Sequence, residues 1–481
     1  MNTKMIRYIL GKMLGVEAVL LLLPASVALI YQEFSGVFFL VPAAILCVVY
    51  LLTGVKRPEN RTIYGKEGMI IVAGAWILWS LFGALPFSLS GSIPNYVDAV
   101  FETVSGFTTT GSTILTDIEA LPKGMLFWRS FTHWVGGMGV LVFVMVLTTL
   151  DKKSSMHLMR AEVPGPEKDK LVPKSSSTAR ILYGMYLGMT AIEVILLMFG
   201  GMNLYDSLIF SFGTAGTGGF ANYAASVGHF NSVYIDSVIT IFMILFGVNF
   251  NLYFFLLLGD RKAVWKNEEL RAYLLIIFAA ATAITLNISS QYPNPLKAFR
   301  YAIFQVASVI TTTGYATADY TVWPMFSQCV LLFLMVIGAC ASSTGGGAKV
   351  ARVLMVLKCI KREIMQLVHP KAVSIIRVNG KKVGPDILRS LYIYMMAYMG
   401  LIMGSVLLVS LDNMDFGVTF SSVLTTVNNV GPGIGAVGPN GSFADFSPLS
   451  KLIFCCDMLA GRLEIFPFLM LFTVSAWNRK F

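Results

Sequence analysis

Long apolar runs separated by short polar or basic connections set the rhythm of this sequence. About 18 apolar residues in a helix cross roughly 30 Å of hydrocarbon. Ten runs reach that length and predict ten spans, near residues 8–30, 36–54, 68–88, 125–149, 180–200, 233–258, 271–289, 324–357, 390–411 and 450–476. The first run has basic flanks and no small-residue cleavage site, so it reads as a retained span.

Between alternate spans lie four segments too short and too polar to cross, at residues 97–112, 204–220, 297–317 and 415–435. Each opens with an amphipathic stretch of about three helical turns, followed by a small or polar residue and then glycine. Laid on one another, the segments align Gly111, Gly218, Gly314 and Gly431, an internal repeat of about 100 residues. Each repeat leaves one side of the membrane, dips back in from the other and returns. The repeats are therefore parallel, unlike the inverted repeats of many secondary transporters. The expected fold is an all-α integral membrane protein with its four repeats around one ion pathway. Its divisions are two leading helices (1–66) and pore repeats at 67–170, 171–266, 267–380 and 381–481.

Composition agrees: 56% of residues are hydrophobic, 13% are charged, and the mean hydropathy is +0.71. This is more apolar surface than a soluble core of this size would hide, so lipid is its solvent. A net charge of +10 would suggest nucleic acid in a soluble chain, but its placement argues otherwise. Of the 36 Lys and Arg, all but Lys123, Arg129, Lys297, Arg300, Lys349, Lys451 and Arg462 fall on one side if the N-terminus is cytoplasmic. The positive-inside bias then places both termini in the cytoplasm, and the basic residues need no ligand. The six cysteines form no C-x-x-C pair and the four histidines show no metal spacing, so neither a disulfide framework nor a zinc site is expected.

Irregular backbone at membrane depth survives only where protein buries it or water wets it, so four such loops imply a pore. A short helix ending in the loop aims its negative dipole end at a cation there. Glycine reaches backbone angles that turn successive carbonyls inward, and rings of carbonyls favour potassium over sodium. Taken singly, each glycine is equally well explained by close helix packing; four at matched positions favour the pore. In the eighth span, Ser342-Ser343-Thr344-Gly345-Gly346-Gly347 predicts a break, since each glycine costs about 1 kcal/mol in a helix relative to alanine. Arg462 lies inside the last span, where an ionisable group reads as functional.

The strings SGFTTTGST, RSFTHWVGGMG, RAEVPGPEKDK, CASSTGGGAKVARVL, VHPKAV, NNVGPGIG and GRLEIFP occur in that order. With them, nearly the whole chain resembles the Trk/Ktr/HKT potassium transporter superfamily, and within it the bacterial TrkH/TrkG branch. The resemblance implies potassium uptake across the bacterial inner membrane, with K+ as transported ion and no covalently bound cofactor. Carried over by motif, the filter residues are Thr109, Thr110 and Gly111; Gly216, Thr217 and Gly218; Thr312, Thr313 and Gly314; and Asn429, Val430 and Gly431. One shared glycine per repeat is a looser filter than that of tetrameric potassium channels. The resemblance further makes residues 342–347 an intramembrane gating loop with Lys349 just beyond it, and turns Arg462 toward the pore. There Arg462 would oppose cations or hold the loop's carbonyls; an ion pair with Glu464 is the structural alternative. A cytoplasmic nucleotide-binding regulatory subunit and a homodimer are likewise implied.

Arg129, His133 and Trp134 belong to the second string, but a capped or snorkelling helix start accounts for them as well. TGGGAK lacks the spacing of a phosphate-binding loop, and GPGIGAVG follows no strand as a dinucleotide site requires. A membrane-embedded enzyme would need a polar catalytic cluster at one membrane face, and none recurs. A proton- or sodium-coupled symporter would need an intramembrane carboxylate. Glu102 and Asp206 are the candidates, although both could equally tune the local potential or cap a helix.

Overall fold

In the computed structural model, the described residues are 1–60, 63–139, 175–371 and 375–473. Among them, six helical segments are long and apolar enough to cross a membrane uninterrupted: Thr3–Ile30, Phe34–Thr53, Gly65–Leu89, Arg180–Phe199, Glu268–Gln291 and Pro385–Asp412. The first comprises α1 (Thr3–Leu20) and α2 (Leu22–Ile30), and α3 (Val37–Thr53) returns beside them. Gly11 and Gly15 of α1 leave room for Thr53 and Tyr50, so two backbones that lipid cannot drive together gain close van der Waals contact.

Four units follow, each a long helix, a half-length helix and a second helix that stops short. The long helices are α4 (Gly65–Leu89), α7 (Ser175–Phe199), α12 (Glu268–Ile288) and α16 (Pro385–Val409). The half-length helices are α5 (Tyr96–Phe107), α8 (Leu204–Gly216), α13 (Pro295–Ile310) and α17 (Phe416–Asn428). All four start the same way. The side chains of Asn95, Asn203, Asn294 and Asp415 accept from the backbone N–H of Val97, Asp206, Leu296 and Gly417, each satisfying a donor that an uncapped helix would leave orphaned.

The second helices, α6 (Lys123–Gly137), α9 (Val233–Phe246), α14 (Met325–Ile337) and α18 (Pro448–Arg462), run for only 13 to 15 residues. This corrects the expectation of continuous spans at 233–258 and 450–476. The former is α9 and α10 (Phe250–Leu257), meeting at 91°, after which the short α11 (Arg261–Lys266) leads to α12. The latter is interrupted at 463–465, where Glu464 and Ile465 both have φ of 62°, before α19 (Phe466–Phe472). The eighth span breaks as expected, over the longer stretch Gly338 to Lys349, before α15 (Val350–Val368). The remainder of the fourth span beyond residue 139, the RAEVPGPEKDK string, the basic connection from Lys152 to Lys174, and Arg61, Arg479 and Lys480 lie outside the described residues.

The all-α reading also gains a small hairpin, Arg377–Val378 (β1) against Lys381–Lys382 (β2), turned by Asn379-Gly380 with both φ positive. In the core, the buried indoles of Trp79 and Trp128 donate to the carbonyls of Met13 and Gly83, tying the leading helices and the first unit together.

Candidate functional site

The four half-length helices end identically. The N–H groups of Thr109, Thr217, Thr312 and Asn429 donate to the carbonyls of Gly106, Thr214, Val309 and Thr426, three residues back. Those of Thr110, Gly218, Thr313 and Val430 reach five residues back, to Ser105, Gly213, Ser308 and Thr425. This is the Schellman closure, which requires a left-handed residue just past the helix. Thr109, Thr217, Thr312 and Asn429 occupy that position with φ of 55° to 58°. A left-handed residue that is not glycine costs about 1–2 kcal/mol. The strain recurs in all four units, so the surrounding structure enforces it.

Two residues further, Gly111, Gly219, Gly314 and Gly431 again have positive φ, from 79° to 100°. The second unit therefore aligns through Gly219 and not Gly218, one residue from the sequence alignment. Its equivalent triplet is Thr217-Gly218-Gly219, and Gly216 is the last residue of α8. The sideways contacts show the same register. A Cβ on Gly111 would overlap the carbonyl oxygen of Gly218, one on Gly219 that of Thr313, one on Gly314 that of Val430, and one on Gly431 would lie 2.7 Å from that of Thr110. First unit touches second, second touches third, third touches fourth and fourth touches first. The ring is closed, and the four glycines line one pocket. The donors gathered here are backbone carbonyls with threonine and asparagine side chains, groups suited to a weakly hydrated monovalent cation.

Each outgoing chain is then held by a polar side chain of its own half-length helix. Glu102 accepts from the Thr113 hydroxyl (2.9 Å) and the Ile114 N–H (3.0 Å). Asp206 accepts from Asn222 Nδ2 (2.6 Å) and the Tyr223 hydroxyl. Gln305 donates to the Ala318 carbonyl, and Ser421 Oγ accepts from the Ile434 N–H. The two carboxylates considered for ion coupling are thus engaged in holding loops.

Glu102 is also ion-paired at 2.5 Å to Arg129, which donates onward to the Ala221 carbonyl of the second unit. Arg129 and His133 are buried, so neither snorkels. The His133 ring stacks on Phe220 at 4.2 Å, bonds the Gly106 carbonyl through Nδ1, and fills the space where a Gly218 side chain would stand. Sequence reasoning undervalued both residues; their joint signal was a charged and a titratable side chain four apart inside an apolar run.

The stretch from Gly338 to Lys349 packs against the same ring. The Gly346 N–H donates to Thr312 Oγ1 (2.6 Å) and the Gly347 N–H to the Asn428 carbonyl (3.1 Å). On the second unit, the Cys340 N–H reaches the Gly247 carbonyl, the Phe250 N–H reaches the Ser342 carbonyl, and Thr344 Oγ1 donates to the Phe246 carbonyl. Ser343 Oγ donates to Cys340 and Lys349 Nζ to the Gly345 carbonyl, both within the loop. Arg462 donates to the carbonyls of Thr344 (2.7 Å), Gly136 (2.6 Å) and Gly137 (2.9 Å). One guanidinium thus links the fourth unit, the loop and the C-terminal end of α6. The carboxylate of Glu464 is taken by Arg352. Glu269, whose Oε1 accepts from the N–H groups of Ala341 and Ala351, went unnoticed in the sequence because an acid in the first turn of a helix is ordinary.

The profile of the family described as "TrkH: Cation transport protein" matches residues 37–479. The chain is 37% identical over 489 residues to the Trk system potassium uptake protein TrkH of Escherichia coli (strain K12), covering 99% of this chain and 100% of that relative. It is 32% identical over 486 residues to TrkG of the same organism. The crystal structure of the potassium transporter TrkH from Vibrio parahaemolyticus superposes with a TM-score of 0.90 at 33% identity, over 99% of this chain and 100% of that one.

Proposed function

As this chain belongs to the TrkH family of cation transport proteins, we propose that it takes up potassium across the bacterial inner membrane through the ring of four loops. The observation that carries this reading is the closed cycle in which each positive-φ glycine abuts the carbonyl of the next unit. Only glycine fits both demands, and the result is four sets of fixed carbonyl dipoles around one site. Thr109–Gly111, Thr217–Gly219, Thr312–Gly314 and Asn429–Gly431 form the filter. The divisions 1–66, 67–170, 171–266, 267–380 and 381–481 serve as two leading helices and four filter-bearing repeats.

The loop from Gly338 to Lys349 is the gate beneath this filter, locked by Arg462. A loop that gives backbone hydrogen bonds to the third and fourth filter units and is gripped by a guanidinium at the end of the fourth unit's second helix has one seated position. A cytoplasmic nucleotide-binding subunit moves it, as the relatives' common designation as a Trk system suggests, and the transporter works as a homodimer. The test is rubidium uptake in a potassium-transport-deficient bacterium carrying this chain with a Trk-type regulator. Gly314→Ser is expected to abolish uptake, because the added side chain meets the Val430 carbonyl and Pro432. Arg462→Ala is expected to give faster, less regulated flux. Absence of rubidium uptake by the correctly inserted wild type would overturn the proposal.

A further inference from the structure

A loop twelve residues long from Gly338 to Lys349 must be closed at its ends as well as seated at its tip. The tip is held by Thr312, Asn428 and Arg462. The ends converge on a residue outside the loop, outside the filter and outside the fourth unit. Glu269, in the first turn of α12, accepts through Oε1 from the N–H of Ala341 at 2.6 Å and of Ala351 at 3.2 Å. Ala341 stands where the chain enters the loop. Ala351 is in the first turn of α15, where an N–H has no partner within its own helix. Glu269 is only 5% exposed, so a loop that swung away would break two buried hydrogen bonds at once.

The turn that carries Glu269 is itself anchored. Asn267 caps it by accepting from the Leu270 N–H at 2.8 Å, and the Glu268 N–H donates to Asn379 Oδ1 of the hairpin at 2.8 Å. The Glu268 carboxylate is ion-paired to Lys358 of α15, and Lys358 also donates to the Arg377 carbonyl of β1. Adjacent carboxylates on one turn therefore face opposite ways, Glu269 to the loop and Glu268 to the hairpin.

We propose that Glu269 is the latch of the gate: one carboxylate oxygen clasps both ends of the intramembrane loop and holds it shut, and displacement of the Arg377–Lys382 hairpin releases it through the turn they share. This rests on the gating role given above to the loop. Glu269 is a positioning residue, since it acts through Ala341 and Ala351 and not on the ion.

The test uses full-length protein in liposomes without regulator, with rubidium efflux as one readout and modification of native Cys340 by a small thiol reagent as the other. Cys340 is buried at the loop entrance, and Cys47, Cys329 and Cys456 are replaced by serine so that it reports alone among the exposed and loop thiols. Glu269→Ala is expected to raise regulator-free efflux about tenfold, the equivalent of roughly 1.4 kcal/mol in the closed-to-open balance, and to speed Cys340 modification. Glu269→Gln, which keeps an oxygen acceptor at the same reach, is expected to restore both toward wild type. The preference for rubidium over sodium should stay unchanged throughout. If Glu269→Ala does not insert, Glu269→Asp, one methylene too short to span both donors, carries the same expectation. A variant lacking Ser343 to Gly346 separates the two readings. A leaky shortened loop beside a Glu269→Ala protein indistinguishable from wild type overturns the latch alone, whereas a shortened loop no leakier than wild type overturns the gate and the latch with it.

Discussion

Threonine is a poor choice for a left-handed backbone, yet Thr109, Thr217 and Thr312 all adopt one, with φ of 55° to 58°. Each is set there by the helix closure behind it and the glycine two positions ahead. The glycines tolerate least. Gly219 has φ of 79° and its missing Cβ faces the Thr313 carbonyl, so Gly219→Ala is expected to abolish rubidium uptake while leaving insertion intact. The nearest atoms to a methyl group on Gly218 are those of the His133 ring, a side chain and not backbone, so Gly218→Ala is expected to be the milder of the two. Comparing the two variants in uptake assays decides which glycine belongs to the ring. The Glu102–Arg129 pair allows a second residue-level prediction. Removing one partner of a buried pair strands the other at a cost of about 3–5 kcal/mol. Glu102→Ala and Arg129→Ala are therefore each expected to lower the thermal midpoint in detergent by more than the double variant Glu102→Gln/Arg129→Met, as fluorescence-monitored unfolding would register.

At the scale of elements, the half-length helices were legible and the broken ones mostly were not. The former announce themselves through an Asn or Asp cap, an amphipathic stretch and a terminal glycine, all local signals. Breaks in the second helices are imposed by tertiary contacts. Three successive glycines marked the one after α14, but Gly247 is a single glycine and Leu463-Glu464-Ile465 contains no helix breaker at all. Glu464 leaves the helical region where its carboxylate meets Arg352, a residue more than 100 positions away. The misaligned glycine has a similar origin: Gly218-Gly219 offers two equal choices until His133 is seen to occupy the first. The loop after α14 carries its own prediction. A methyl group on Gly346 would overlap the Asn428 carbonyl, so Gly346→Ala is expected to unseat the loop and raise regulator-independent flux without altering the preference for potassium over sodium. Efflux from liposomes in potassium or sodium would test both halves of that statement.

At the scale of the whole molecule, the ring brings all four units together, and its carbonyls repel one another unless a cation lies between them. An ion bound there couples to the stability of the entire assembly. Binding at a hundred times the dissociation constant adds about 2.7 kcal/mol. Potassium or rubidium is therefore expected to raise the thermal midpoint of the purified protein over lithium at equal ionic strength, and Gly219→Ala is expected to remove the difference. The ring is also not fourfold in detail. Thr108 shares a hydrogen bond with Thr110 and Thr311 with Thr313, each at 2.8 Å, so opposite loops carry paired hydroxyls. The loops between them are backed by the His133 ring in one case and by Tyr398 on Asn428 in the other. A channel assembled from four identical subunits must accept every substitution in quadruplicate. One continuous polypeptide accepts it once, so heredity can adjust this ring a quarter at a time, and a single quarter was free to acquire the twelve-residue loop from Gly338 to Lys349 while the other three kept their own connections.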